Sequence, residues 1–107
     1  MMNKNEFWEA IKNAQTFDDL VKALNRYQGF DDINAFRLLL KKCMQFACHG
    51  FILTNEFPVW QRLFAVVAND DSIVFVFVTS LVLEFRRERG GKARMRISTA
   101  AGGVKEW

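Results

Sequence analysis

The strongest pattern of apolar positions lies over 72–85, SIVFVFVTSLVLEF, whose first seven positions hold four β-branched and two aromatic residues. Side chains of that kind pack well on a pleated surface, so the run predicts one long, largely buried strand. Its fourteen residues are too few for a membrane helix, and Thr79, Ser80 and Glu84 interrupt them. An uncovered VFVFV edge would pair with other chains, and the expectation is a strand that protein covers on both faces.

Before that run the apolar period is helical. Asn3 with Glu6 three residues on is a start signal, and Phe7, Trp8, Ile11 and Ala14 follow on one face, which predicts a helix over 4–14. Thr16 with Asp19 repeats the signal. Leu20, Val21, Leu24 and Tyr27 then supply a stripe, and Gly29 stands where a left-handed cap belongs, so a second helix is expected over 17–28. A third opens at Asp31 or Asp32. There Arg37, Lys41 and Gln45, with Lys42 beside them, form a narrow polar stripe, and apolar residues from Ile33 to Ala47 occupy most of the circumference. Such a helix belongs at the centre, against the sheet, with Gly50 ending it. The pairs FDDL and FDDI, thirteen residues apart, both fall at helix starts. Carboxylates there cap free amides and offset the helix dipole, a simpler reading than acid–base or metal chemistry.

The segment 51–57 reads as a connection or a short strand. Over 58–68 two readings remain: Trp60, Leu63, Phe64 and Val67 have helical spacing after Pro58, yet RLFAVVA, the turn residues Asn69, Asp70 and Asp71, and the run after them make a hairpin. The hairpin is favoured, because two β-rich runs of similar length flank the turn. After Phe85 the character changes to RRERGG. Gly90 and Gly91 suit a tight turn, and the next residues alternate, Ala93, Met95 and Ile97 on one face and Lys92, Arg94, Arg96 and Ser98 on the other.

Charge sharpens that last element. The chain carries a net +3, yet Arg86, Arg87, Arg89, Lys92, Arg94 and Arg96 face only Glu88 within 86–96, a local balance of +5. Arginine outnumbers lysine there five to one. That ratio favours forked contacts to carboxylate or phosphate over a merely soluble surface, which either residue would supply. These six residues are the candidate binding site. With 107 residues, half of them apolar and eleven of them Phe, the chain is expected to bury a single core and to keep apolar surface for a second copy. The opening MMNKNEFW lacks the apolar run of a secretory signal, and Cys43 and Cys48 have no framework spacing, so a reducing, cytoplasmic setting is expected.

Other chemistry finds little support. On a continuous helix Cys48 lies about 140° and His49 about 240° around from Cys43, so the three point apart and no metal is expected. One histidine, one tyrosine and serines at 72, 80 and 98 in strand contexts offer no nucleophile elbow, and Gly90-Gly91-Lys92 leads into a strand where a phosphate loop needs a helix. No cofactor is expected.

The reading is an α+β domain over 1–98, three N-terminal helices packed on one face of a small twisted antiparallel sheet, a meander of three to four strands, with 99–107 a mobile tail. It implies a non-enzymatic binding module that uses the basic hairpin toward an acidic protein. The alternative is a nucleic-acid-binding protein using the same arginines. A further alternative, a small-ligand carrier, needs an apolar pocket lined by Trp60, Phe75 or Phe77. A homo-oligomer without membrane association completes the expectation.

Overall fold

In a computed structural model of the chain, residues 2–27, 33–47, 63–99 and 104–106 are described. Asn3 starts helix α1 (Lys4–Asn13), its side-chain oxygen accepting the Glu6 N–H at 2.9 Å. Phe7 and Ile11, one turn apart, are the fully buried residues of its inner face. Helix α2 (Phe17–Arg26) begins with a reciprocal capping box. The Asp19 N–H donates to the Thr16 hydroxyl, and the Asp19 carboxylate accepts the N–H groups of Gln15 at 2.9 Å and Thr16 at 3.1 Å. Helix α3 (Ile33–Ala47) buries Ala35, Leu39, Leu40, Cys43, Met44 and Ala47 and exposes Asn34, Lys41 and Gln45. It packs on α1, on α2 and on strand β4 (Ala93–Ser98), which is the central position its narrow polar stripe predicts. Tyr27 stacks on Phe7 at 4.0 Å, and Phe36 meets both rings edge-on, tying the three helices together. No helix among the described residues is long and apolar enough to cross a membrane.

The sheet is an antiparallel meander in sequence order: β1 (Leu63–Ala68), β2 (Ser72–Phe77), β3 (Val82–Arg87), β4 and β5 (Val104–Glu106). The expected α+β architecture is present. Strand β1 and the turn over 69–71 bear out the hairpin reading, while 58–62 and the segment 51–57 lie outside the described residues. So does the expected helix end at Gly50, whereas α2 ends at Arg26 with Tyr27 as an extended C-cap, short of the end expected at 28 with Gly29 as its cap.

Two expectations are corrected. The run over 72–85 is two strands, β2 and β3, joined by a tight turn in which Ser80 takes a left-handed φ of 69° and donates its N–H to the Phe77 carbonyl. Fourteen extended residues would reach about 46 Å, beyond the molecule's longest extent of 37 Å. The turn escapes the pattern because apolar Val78 and Leu81 flank Thr79 and Ser80. The tail expected over 99–107 carries β5, in which Ser98 pairs with Val104 and Arg96 with Glu106.

One face of the sheet holds Ile73, Phe75, Phe77, Leu83, Phe85, Met95 and Ile97, all buried in one cluster with the helices. Phe75 and Phe85 meet edge-to-face at 5.8 Å in it. The other face is open among the described residues. Val74, Val76 and Val82 are half-buried there, and among the described residues only the inner face of 72–85 is covered by helices.

Leu39→Ala, at a fully buried position, is expected to cost about 2–5 kcal/mol in urea unfolding, and Lys41→Ala under about 0.5 kcal/mol. Similar losses would mean the faces of α3 are misassigned. The capping box adds a pH dependence. The Gln15 N–H, then the Thr16 N–H and hydroxyl, hold the Asp19 carboxyl below its ordinary range. A carboxyl whose folded pKa is depressed stabilises the fold above its unfolded pKa of about 4, and that stabilisation is lost as pH falls through the folded value. Asp19→Asn is therefore expected to lower the urea midpoint at neutral pH, with wild type and variant converging in acid. A gap that stays constant across the series would show that the cap does not titrate in this way.

A candidate binding surface on the open face of the sheet

The strands β3 and β4 bring the basic residues together, and their register decides which of them share a face. Glu84 lies opposite Arg96, Phe85 opposite Met95, Arg86 opposite Arg94, and Arg87 opposite Ala93. Residues directly opposite each other point to the same side. Because Phe85, Met95 and Ala93 are buried toward the helices, Glu84, Arg86, Arg94 and Arg96 must lie on the open face. They line a shallow groove of about 170 Å³.

The six sequence-predicted residues therefore separate. Arg94 and Arg96 stand on the outer face as expected, and Arg86 joins them from the neighbouring strand. Lys92, exposed and extended, precedes Ala93 and falls on the same side. Arg87 does not flank the turn as an outer residue. It reaches the helical layer, where its guanidinium sits 3.3 Å from the Asp18 carboxylate at the start of α2. Arg89 is exposed in the 3-10 turn over Arg89–Gly91.

Two carboxylates belong to the surface, Glu88, which the charge count included, and Glu84, which it did not. Glu88 forms an ion pair with Arg94, its carboxylate 2.7 Å from Nε, and Glu84, with its side chain 22% exposed, lies 3.4 Å from Arg86. Exposed pairs of this kind contribute about 0–1 kcal/mol each, so they orient the guanidiniums more than they stabilise the fold. Arg86 and Arg94 nonetheless stand directly opposite one another, a like-charge arrangement that disfavours pairing. Glu84 was visible two positions before Arg86 on the same face of a strand, but its place among the arginines follows only from the β3–β4 register.

The outer face is graded across the strands. One row runs Val67, Val74, Glu84, Arg96, and the next runs Ala65, Val76, Val82, Ser98. Its apolar half thus belongs to β1 and β2 and its cationic half to β3 and β4. Phe64, beside the register shift in β1, is 74% exposed at the apolar end.

The turn that carries this hairpin is seated on α2. Gly90 and Gly91 have φ of 75° and 77°, a region open to glycine at little cost. A Cβ on Gly91 would come within 2.9 Å of the Thr16 side chain and 3.3 Å of its Cα, whereas one on Gly90 would meet nothing within 4 Å.

Other candidate chemistry does not assemble among the described residues. Phe75 and Phe77 are buried in the core, and Trp60 lies outside the described residues. Cys43 is fully enclosed, and burial pushes its thiol well above the ordinary range, which makes it a poor nucleophile. Cys48 and His49 lie outside the described residues, and among those described no group of three metal-ligating side chains gathers. Ser72 is buried and accepts a hydrogen bond from the Asn69 amide, as a turn residue does. No family model, curated protein or solved structure matches this chain.

Gly90→Ala is expected to cost about 1–2 kcal/mol through its backbone conformation alone, and Gly91→Ala more, because the α2 cap obstructs the added methyl. Urea unfolding of both variants measures the difference. Equal losses would mean that the turn does not rest on Thr16.

Proposed function

We propose that the protein is a non-enzymatic binding module that engages an acidic protein partner through the outer face of β3 and β4, acting in the cytoplasm. The observation that carries this reading is the opposed pair Arg86 and Arg94 beside Arg96, on a face whose other half is valine. Like charges set against each other on an open sheet cost stability, and a bound carboxylate would relieve that cost by accepting from two forks at once. A protein ligand offers carboxylates and aliphatic groups side by side, which suits a surface graded from valine to arginine.

Phosphate shares the oxyanion geometry, and the local excess of arginine supports nucleic acid as the alternative. The protein reading is preferred for what adjoins the arginine groove. The adjoining half of the face consists mainly of valine and alanine, and non-specific single-strand binding draws on aromatic planes for stacking.

The double variant R94A/R96A separates the readings. Both side chains are exposed, so the fold is expected to persist, with unfolding midpoints near wild type. Cross-linked affinity capture from the source cells is expected to recover one acidic protein with wild-type and Lys12→Ala baits and to lose it with R94A/R96A. Binding of a labelled single-stranded oligonucleotide, titrated with salt, is expected to be weak and nearly unchanged. If the arginines contact phosphates, wild-type binding will instead fall with a log–log salt slope of up to about −5, and the double change will reduce that slope by about two. That result, or capture that ignores the arginines, would overturn the proposal.

A further inference from the structure

We propose that β1 is a seam along which a second copy of the chain pairs antiparallel, joining two five-stranded sheets into one. The surface is distinct from the arginine groove and does not depend on what binds there.

Among the described residues, β1 is paired on one side only, by β2, and forms one end of the sheet. The phase of its backbone follows from the turn. The Asn69 N–H donates to the Ser72 carbonyl at 2.8 Å, and the register runs without interruption from Ala68 opposite Ile73 to Ala65 opposite Val76. Bonded and non-bonded pairs alternate in an antiparallel ladder. Ala65 and Val67 therefore exchange their bonds with β2, while Val66 and Ala68 turn both N–H and C=O away from β2, along an edge that no described strand pairs.

Beyond the register shift between Leu63 and Ala65, that edge has neither charge nor proline among its described residues. Its sequence is LFAVVA, whereas β5 at the other end, VKE, has two charged residues in three. An open groove of about 230 Å³ lies along β1, lined by Val66 and Ala68 with Leu24, Tyr27 and Phe36 of the helical layer. Inward-facing side chains of an added strand would enter it.

The charge layout selects the occupant. Strands lie about 4.8 Å apart, so β3 sits about 12 Å from a seam at β1, and a two-fold axis there holds the two arginine clusters at least about 24 Å apart, beyond a Debye length of about 10 Å. A seam at β5 would bring the two β4 strands within about 14 Å of each other. Pairing at β1 instead joins the apolar halves of the two outer faces. Centred on Val67, it sets Val66 opposite Ala68 of the partner subunit in a bonded pair, repeated by symmetry. It also covers the Val67 side chain, 49% exposed in the single chain, with its own copy.

Sedimentation and residue-resolved amide exchange test this. The wild type is expected to sediment at twice its 12.4 kDa chain mass at high concentration, with the Val66 and Ala68 amides protected. Val66→Pro removes an N–H that the β2 ladder does not use, so it is expected to leave a folded monomer. Val67→Lys, which places a charge at the axis, is expected to do the same should the proline disturb the strand. R94A/R96A is expected to dimerise like wild type, so failure here and failure of the arginine surface are distinguishable. A monomer at high concentration, a dimer that survives both β1 changes, or a monomer whose Val66 and Ala68 amides are protected would overturn the proposal.

Discussion

The inward seating of Phe75, Phe85 and Met95 beneath the helices is the constraint on which the rest depends. Strand side chains alternate strictly, so burying these residues fixes the outward direction of Val74, Glu84, Arg94 and Arg96. A slip of one residue in β4 would put Arg94 and Arg96 into the core and Met95 into water. The penalty is several kcal/mol per buried charge, far above anything the outer face could offer in return. The core therefore maintains the cationic groove, although no residue of the groove belongs to the core.

The same logic explains how the β3–β4 hairpin is oriented. A two-stranded ribbon twists freely unless something holds its end, and here the end rests on α2. Arg87 meets Asp18, and the backbone of Gly91 lies against Thr16, the residue that caps the helix. Both α2 contacts fall at a helix start, where carboxylates already serve the free amides and the helix dipole. One short stretch, TFDD, thus begins a helix and anchors the turn of the hairpin.

These relations were legible in the sequence to different depths. Caps and stripes are local, so the starts of α1 and α2 and the alternation of Ala93 to Ile97 could be read directly. The break at Val78–Leu81 could not be read from propensity, because a turn flanked by valine and leucine looks like more strand. Length was the available signal, since a strand of fourteen residues outreaches a domain of this size. The outer cluster needed more still. Arg86 and Arg87 are adjacent in sequence and go to opposite faces, and only the register, set by the turn at Gly90 and Gly91, tells which one joins Arg94. A sum of charges over 86–96 counted Glu88 but had no means of placing Glu84 among the arginines. The short β5 carries too few residues for any period to show.

An open sheet face with one composition throughout would set the two proposed interactions in competition, since whatever covered it for one would cover it for the other. This face is graded along the strand order. Valine and alanine dominate where β1 and β2 lie, arginine where β3 and β4 lie, and Glu84 marks the change. The apolar end has no charge to desolvate, which suits the proposed pairing with a copy. The cationic end would repel a copy and suits the proposed carboxylate partner. Because charge separation drives both preferences, a charge placed on β1 affects the first and leaves the second, while neutralising the arginines does the reverse. The gradient would let one small sheet keep the two proposed surfaces apart, with β1 at one end and the opposed guanidiniums at the other.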